Sequence, residues 1–512
     1  MLFLAFLGLA ACSYIRTPAA LPLTAEEQAK VQEAARLLTQ DNYAAFKGAF
    51  RLYSELSLVP ELAPSLDENY LQSCLLLGVR EKDLGIIDPR PLDAASHLIV
   101  FNPKLKGRKP LLEIARLLSH RSKGIMGDVD AQVQWYFDQP DELSKLVRDA
   151  AERSRTDRVA AYILAEFMSQ FGWFLENHKD SLKVEDPLGF HPSSRLLRFV
   201  KATADSRADP KPLEDILADD PMCLEVQYFL GNASLSKGNL LEAEGHYAIA
   251  FEAIPESSQI AISLASVAFA EEDFERSIEF FDKTLELMPG YREAILGKAI
   301  SLTTLGRNAE AMPLLEKLIG LGYYFLGESH FWLAWNLHDL RRHAEAQDNI
   351  ERAKKLLGEG QVFTLSGLIE LGLGDDERAK ADFLEALKFN ASDSEALYHL
   401  GGIFARKQVW DKSGEYYEKA GGANEALALA INDKIDELKA SALPETRKTR
   451  LIQRKTAQLE KTRGSQALAY YNAAAGYFNF GDAVRARTCA LKAAEYPALK
   501  DKAGELLEKI KD

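Results

Sequence analysis

The C-terminal half of the chain carries a pattern of apolar residues with a repeat length close to 34 residues. Apolar positions fall at i, i+3, i+4 and i+7, the spacing of one face of an amphipathic helix. A small residue marks the same place in six successive copies: Ala243, Ser277, Ala311, Ala346, Ala379 and Ser413. The intervals between these markers are 34, 34, 35, 33 and 34 residues. The pattern predicts helix pairs that stack on their neighbours, because one pair cannot bury its apolar face alone.

The residues around each marker also return from copy to copy. The first copy has Leu230 and Gly231 ahead of a turn at Gly238, with Tyr247 and Ala250 at helical spacing afterwards. Matching residues of the second and sixth copies are Leu264, Ala265, Phe274, Phe281, Leu400, Gly401, Trp410 and Tyr417. These residues resemble the tetratricopeptide repeat (TPR). The resemblance implies an all-α fold in which the units stack into a superhelical solenoid.

A further copy of the pattern closes the chain, with Tyr470, Ala474, Tyr477, Gly481 and Ala486 in the matching positions. Its marker, Ala486, lies 73 residues after Ser413, which is two periods plus five. We therefore expect six TPR units over 222–423 and a divergent inserted helical unit over 424–463. Residues 464–512 are expected to form the final TPR unit and a capping helix.

The part of the chain before the repeats is predicted to be an α-helical domain, residues 25–200, made of degenerate repeats. Its first stretch predicts a helical pair with a turn near Asp41 and Asn42, because Tyr43, Phe46 and Phe50 share one helical face afterwards. Residues 201–221 contain three prolines and are expected to be the joint between this domain and the repeats.

The N-terminus carries a short apolar run, residues 2–11, which has the length of a signal-peptide core and is too short to span a bilayer. It ends in Leu9, Ala10, Ala11 and Cys12, which resembles a bacterial lipobox. The resemblance implies cleavage of residues 1–11, a lipid on Cys12, and a tether over 12–24. Residue 13, directly after the cysteine, is serine rather than aspartate. In this it resembles lipoproteins that are sorted to the outer membrane and face the periplasm. No lysine or arginine precedes the run, unlike an ordinary signal peptide, so a cytosolic TPR adaptor stays open as an alternative.

Composition narrows the range of partners. The 512 residues include 62 basic and 76 acidic residues, a formal net charge of −14. This balance argues against nucleic acid as a partner, because phosphate binding needs a basic face. Four cysteines in the whole chain exclude a disulfide scaffold.

Motifs of catalysis and of cofactor or metal binding are missing from the sequence. It has no phosphate loop, no GxGxxG, HExxH, GxSxG or CxxC. His330, His338 and His343 are spaced by eight and five residues, which does not place imidazoles on one helical face. We therefore predict no catalytic residue, no metal and no cofactor. Residues 440–463 hold seven basic and two acidic residues, which fits either a solvated helix face or contact with an anionic surface or acidic partner.

The resemblance to TPR proteins also implies a binding site, because the first helix of each pair there lines a concave groove that takes ligands. The corresponding positions, mostly apolar and aromatic, are Tyr228, Asn232, Leu235, Ile262, Phe269, Leu296, Phe331, Trp335 and Tyr398. We expect Phe331 and Trp335 to be exposed anchors. The expected ligand is a protein segment, helical or extended and apolar, rather than a charged chain end.

These patterns favour a non-catalytic, lipid-anchored scaffold that binds protein partners at the cell envelope. Similar lipidated TPR proteins serve outer-membrane protein insertion, pilus secretin assembly and exopolysaccharide export. A second hypothesis is an enzyme, such as a cell-wall hydrolase, in residues 25–200 that the repeats recruit. Such an enzyme requires a concave pocket with convergent polar groups in that region.

Overall fold

The computed structural model describes residues 24–58, 63–124, 135–136, 138–179, 182–205, 209–322 and 324–510. Throughout these ranges the regular elements are helices and there is no β-strand, which confirms the all-α solenoid. The apolar N-terminal run and Cys12 lie outside the described residues. The chain divides into two compact units, residues 1–264 and 265–512.

The first unit consists of helices of unequal length followed by the first repeat. Its described α-helices are α1 (Ala25–Leu37), α2 (Tyr43–Leu56), α3 (Ala63–Asp83), α4 (Arg90–Phe101), α5 (Lys109–Gly124), α6 (Pro140–Ser154), α7 (Arg158–Asn177), α8 (Pro187–Phe190), α9 (Arg195–Asp205), α10 (Lys211–Asp219), α11 (Glu225–Ser236) and α12 (Leu240–Ala253). A 3₁₀ helix, Pro103–Arg108, joins α4 to α5. Helix α13 (Ser258–Ala270) crosses the division between the units.

Helices α1 and α2 form the degenerate pair that the sequence predicts. Asp41 adopts a left-handed backbone conformation between them, with φ of 60°. The Asn42 side chain then caps α2 by accepting a hydrogen bond from the Ala45 backbone N–H. The pair is tied to the first repeat, because the Tyr43 backbone N–H donates to Glu225 at 2.7 Å and its hydroxyl donates to Glu256 at 2.8 Å.

The stretch 201–221 is helical over most of its length, because α9 and α10 run through it. Leu213 and Ile216 of α10 are buried with Phe199 and Val226 in one apolar cluster. Residues of the expected joint therefore pack against the neighbouring helices. Pro210 and Pro212 lie at the start of α10, and Pro221 lies in the turn after it.

The second unit continues the helix pairs. Its described α-helices are α14 (Phe274–Leu287), α15 (Arg292–Thr304), α16 (Asn308–Leu321), α17 (Leu326–Asp339), α18 (His343–Leu356), α19 (Gly360–Leu373), α20 (Asp376–Phe389), α21 (Ser394–Arg406), α22 (Trp410–Ala440), α23 (Glu445–Phe480), α24 (Ala483–Ala494) and α25 (Lys500–Ile510). A short 3₁₀ helix, Pro497–Leu499, precedes α25, whose Ala503 and Leu506 are buried against the last repeat.

One backbone feature recurs at the turn between the two helices of each pair in this unit. The residue there has a positive φ at Glu272, Gly306, Arg341, Gly374, Gln408 and Gly481. In the second repeat the next N–H, of Asp273, donates to the Ala268 carbonyl at 2.8 Å, which ends α13 in a Schellman arrangement. The period of the sequence is therefore also a period of backbone conformation, even where the turn residue is not glycine.

Small residues admit an aromatic ring from the second helix of the same pair. A Cβ on Gly367 would lie 2.5 Å from the Phe383 ring, and one on Gly401 would lie 2.7 Å from the Tyr417 ring. The two helices of these pairs therefore approach closely where a glycine faces an aromatic side chain.

Helices α22 and α23 are far longer than the others, at 31 and 36 residues. Their halves near Trp410 and Phe480 complete the last two repeats. Their other halves, residues 424–463, form an antiparallel hairpin, which we call the strap. Its small core contains Ala428, Ile431, Ile435 and Leu459. The inserted unit expected at 424–463 is thus an extension of two repeat helices rather than a further stacked pair.

Candidate partner-binding site

The predicted groove residues of the second unit differ in exposure. Phe269, Trp335 and Tyr398 are half-buried and present part of their rings to solvent. Leu296 and Phe331 are only 8% and 3% exposed and belong to the apolar core of the stack. The expectation that Phe331 is an exposed anchor is therefore wrong, because its ring faces the core between neighbouring helices.

An aromatic cluster on α17 surrounds the predicted anchor. The Trp335 ring centroid lies 6.1 Å from that of Phe331 and 6.1 Å from that of Trp332. Trp332 lies next to Phe331 in sequence and was not among the predicted groove residues. Like Trp335, it is half-buried. The cluster thus fixes the orientation of Trp335 through ring contacts and leaves part of its surface open.

Acidic side chains extend the same helix faces. Glu328 lies seven residues before Trp335 and Glu395 lies three residues before Tyr398, so each shares a helical face with a partly open aromatic ring. Glu293 occupies the equivalent position of α15. Glu293 and Glu395 are exposed. The surrounding protein limits hydration of Glu395 and, with Asp393 and Asp339, raises the pKa of this carboxyl. The face is therefore acidic as well as aromatic, which the apolar selection of positions overlooked.

The predicted groove residues of the first unit are Tyr228, Asn232, Leu235 and Ile262, and all four are half-buried. The Tyr247 hydroxyl donates to the Asn232 side-chain oxygen at 2.7 Å, so Asn232 holds its own repeat together. The Tyr228 ring lies 6.1 Å from that of Tyr247. These contacts assign at least Asn232 a structural role within the first repeat.

The three histidines of the fourth repeat do not converge on one point. His330 Nδ1 is 2.8 Å from the Asn349 side-chain oxygen, while His338 and His343 have ring centroids 5.1 Å apart. Within the described ranges, no group of three His, Cys, Asp or Glu side chains is arranged to hold a metal ion.

The basic segment 440–463 contacts an acidic turn of its own chain. Arg450 donates to Asp273 at 2.6 Å, Arg454 to Glu275 at 2.5 Å and Lys455 to Glu272 at 2.7 Å. Arg447 pairs with Glu271 and approaches Asp273 at 3.7 Å. We call this set of ion pairs the clasp. Four of the seven basic residues of this segment are therefore paired with carboxylates of this turn of their own chain.

The clasp lowers the pKa of one of its carboxyl groups, Glu275, and buries its central residues. Burial opposes ionisation of Glu275, but the hydrogen bond from Arg454, a backbone hydrogen bond and the charges of Arg454 and Arg450 together hold the pKa of Glu275 below its usual value. Asp273 is fully buried and Arg447 is 8% exposed, so the centre of the clasp excludes water. Arg454 also lies over the Phe274 ring, 5.3 Å from its centroid.

A polar cavity exists in the first unit, where the enzyme hypothesis requires one. It has a volume of about 420 Å³ and is lined by Gln72, Arg108, Arg153, Thr156, Asp157, Arg158 and Val159. Two of its arginines are engaged by carboxylates: Arg108 pairs with Asp157 and Glu68, and Arg158 pairs with Asp41 at 2.6 Å. These pairs neutralise most of the charge that the cavity would offer to a ligand.

Comparison with known proteins agrees with the repeat pattern. The tetratricopeptide repeat family model matches residues 364–426. Human tetratricopeptide repeat protein 6 is 21% identical over 185 residues, which cover 29% of this chain and 35% of the human protein. An uncharacterized protein of Methanocaldococcus jannaschii is 49% identical over 39 residues, 8% of this chain and 45% of that protein. The chain thus spans less than half the length of either relative.

Solved structures also match this chain, at low sequence identity. The Cut9–Hcn1 hetero-tetramer of the APC/C has a TM-score of 0.40 and 15% identity, with 95% of this chain and 97% of that chain covered. YrrB, a TPR protein with an unusual peptide-binding site, has a TM-score of 0.33 and 16% identity, with 36% and 96% covered. The family model thus identifies tetratricopeptide repeat sequence at residues 364–426, and the helix pairs of the described chain have the fold of a TPR solenoid. In the part of the chain that the structure describes, no helix is long and apolar enough to cross a bilayer.

Proposed function

We propose that the chain is a non-catalytic scaffold that binds a protein partner on the first-helix face of the second unit. The observation that carries this proposal is the half-open Trp335 ring, fixed by Phe331 and Trp332 and followed along the stack by Tyr398. Fixed, partly exposed aromatic rings lose little entropy on binding and are the commonest anchors of protein interfaces.

The negative charge of this face favours a partner segment with basic residues. Glu293, Glu328 and Glu395 accompany the aromatic residues, and hydration of Glu395 is already limited. A partner segment with apolar side chains and flanking lysines or arginines would complement this face, whereas an acidic segment would be repelled. The proposed ligand is therefore an amphipathic, basic segment rather than a purely apolar one.

The cellular setting is a further part of the proposal. The sequence Leu9, Ala10, Ala11, Cys12 supports lipid attachment at Cys12, and with it a place on the outer membrane facing the periplasm. A scaffold tethered there would hold partners for envelope assembly, in secretion, pilus or exopolysaccharide export. Two acyl signals on the processed Cys12 would make such a tether stable.

The partner-binding proposal is tested by crosslinking and pull-down from native membranes. We expect Trp335→Ala and Tyr398→Ala each to reduce recovery of a defined partner by about tenfold, as for an interface anchor. Trp173→Ala, which removes an exposed tryptophan of the first unit, is the matched control. Equal recovery with all three variants would show that the first-helix face is not the binding surface.

The anchoring proposal has its own test. The wild-type chain should fractionate with membranes and incorporate labelled fatty acid, and Cys12→Ser should lose both properties. A Cys12→Ser protein that stays in the membrane fraction would contradict lipid anchoring. A wild-type protein in the soluble fraction with its first residues intact would favour the cytosolic adaptor.

A further inference from the structure

We propose that the polar cavity of the first unit binds a small ligand through a phosphate group. Three arginines line this cavity, against a single carboxylate, that of Asp157. The phosphate is held by donors that the ion pairs within the chain leave unused. The site belongs to the first unit alone, so this inference goes beyond the proposed scaffold function and does not depend on it.

Arg153, near the end of α6, is the arginine of this lining that no carboxylate neutralises. Its side chain is half-buried and has no hydrogen bond or ion pair with any residue that the structure describes. The guanidinium lies against the 3₁₀ helix, where a Cβ on Gly107 would be only 2.8 Å from Arg153 Nη2. Glycine at residue 107 therefore leaves the space that the guanidinium occupies at the cavity wall.

Two neutral side chains add donors to the same lining. Gln72 comes from α3, and Thr156 comes from the turn between α6 and α7. Neither side chain makes a hydrogen bond with another residue in the described ranges, so the Gln72 amide and the Thr156 hydroxyl are available to a ligand. Together with Arg153, they bring donors to the cavity from three segments of the chain.

The other two arginines of the lining are held in place beside these donors. Arg108 pairs with Glu68 at 2.5 Å and with Asp157. Arg158 donates to Asp41 at 2.6 Å. These bonds use only part of the five N–H donors of each guanidinium, so both arginines keep donors for a ligand. Because their positions are already fixed, ligand binding costs little side-chain entropy there.

The single carboxylate of the lining is already compensated. Asp157 Oδ1 accepts hydrogen bonds from the backbone N–H groups of Val159 at 2.9 Å and Ala160 at 3.2 Å. Its Oδ2 pairs with Arg108. Both oxygens are therefore engaged by donors, and the repulsion that Asp157 exerts on an anion in the cavity is reduced.

The chain around Arg108 is basic as well. Lys104, Lys106 and Lys109 are exposed, and none of them has an ion pair with a described residue. In a protein with a net charge of −14, this local excess of cations produces a positive potential that favours an anionic ligand.

A phosphate group suits this arrangement better than a carboxylate. Its oxygens point in several directions and can accept from donors on three segments, whereas the two oxygens of a carboxylate lie in one plane and match a single guanidinium. The cavity volume of about 420 Å³ is within the range of about 300–1,000 Å³ that is typical of small-molecule sites. The cavity therefore has room for the organic part of a small phosphate ester.

Ligand binding is tested by isothermal titration calorimetry of the full chain in chloride buffer at constant ionic strength. The probes are inorganic phosphate, glycerol 3-phosphate and succinate. We expect both phosphates to bind, the ester at least as tightly as the free anion, and succinate to bind at least about tenfold more weakly. No binding of either phosphate up to about 20 mM would overturn the proposal. Succinate binding as tight as that of the phosphates would refute the choice of a phosphate group, and weaker binding of the ester than of inorganic phosphate would refute the ester.

Substitutions then locate the site. Arg153→Gln removes the free cation, and Gly107→Ala keeps every charge but displaces the Arg153 guanidinium. We expect each to weaken phosphate binding about tenfold, as for the loss of a charge-assisted hydrogen bond. Arg148→Gln is the matched control and should leave binding unchanged, because Arg148 is exposed on α6 and does not line the cavity. Equal weakening in all three variants would indicate general attraction between charges and exclude the site.

Circular dichroism checks that the variants are folded. Gly107→Ala should keep the fold, because only the flexible end of the Arg153 side chain has to move. It therefore decides the outcome alone if Arg153→Gln does not fold. Wild-type phosphate binding in a folded Gly107→Ala protein would contradict the role of Arg153.

Discussion

Arg450 donates a hydrogen bond of 2.6 Å to Asp273, although 177 residues separate them. Asp273 is fully buried at the N-terminal end of α14, while about half of the Arg450 side chain is exposed. Each TPR helix otherwise contacts mainly its neighbours, so this pair is a long-range contact in a fold built from local ones.

Replacing Arg450 with alanine should destabilise the second unit. The buried Asp273 carboxylate would lose its closest cation and keep only Arg447, so we expect a loss of about 1–3 kcal/mol. Urea denaturation monitored by circular dichroism measures the change. Lys439→Ala, which removes an exposed pair within one helix, should change stability by less than about 0.5 kcal/mol. Equal effects of the two variants would contradict a special role for Arg450.

Glycine at the turn between the helices of the sixth repeat should stabilise the protein. Gln408 has a φ of 59°, a conformation that strains a residue with a Cβ. Gln408→Gly should therefore stabilise the protein by about 1 kcal/mol. Gly374→Ala, at the equivalent turn with φ of 84°, should destabilise it by a similar amount. Opposite shifts of the melting temperature are expected, and shifts of the same sign would contradict the argument.

Gly367 should not tolerate a methyl group. The added Cβ would lie 2.5 Å from the Phe383 ring, so Gly367→Ala should cost about 1–3 kcal/mol despite the better helix propensity of alanine. Gly504→Ala meets open space and should be neutral or slightly stabilising. Chemical denaturation compares the two. Adding Phe383→Leu to Gly367→Ala should recover part of the loss, which a simple propensity effect would not explain.

His399 gives the second unit a dependence on acid pH. Its ring stacks on Phe383, and burial, with the positive charges of Arg406 and His338, lowers its pKa to about 4. Because the unfolded value is about 6.5, the neutral ring contributes stability above that pH, and this is lost as pH falls through 4. We expect a loss on the order of 2 kcal/mol between pH 6.5 and 4.

His399→Phe should flatten the stability profile in this window. Denaturation at several pH values measures the effect, and His97→Phe in the first unit is the control. A profile that keeps its slope in the His399 variant would assign the acid sensitivity to other groups.

The sequence predicted the features that depend on residues close together in the chain, namely the helix pairs and their turns. The 34-residue interval reports the spacing of the turns, so it located the helix pairs, and the structure keeps that spacing at Arg341, where the turn has no glycine. The helical pair around Asp41 was predicted differently, from the face that Tyr43, Phe46 and Phe50 share. Exposure was harder to predict: Phe331 and Trp335 lie one helical turn apart, yet only the second remains partly open.

Periodicity located an inserted helical unit at 424–463 but not its form as the strap. Gly421 and Gly422 fall where a repeat would end, yet α22 runs through them. A Cβ on Gly421 would lie 2.8 Å from the Tyr470 ring, so the two long helices pack closely there. The partner of the basic segment is more than 170 residues away, so no local pattern indicates it. The charge excess of 440–463 was visible, but the carboxylates it pairs with are set by the packing of distant helices.

The clasp also alters how the second unit should come apart. In an open array of repeats, the end units fray independently, and the stability is a sum of neighbour terms. The clasp joins α23 directly to the turn before α14, so the two ends of the second unit contact each other as well as their neighbours. Loss of a helix at one end therefore weakens the other end too. Unfolding of the second unit should therefore be more cooperative than its repeat count implies, and its folding slower, because a loop of more than 170 residues closes last.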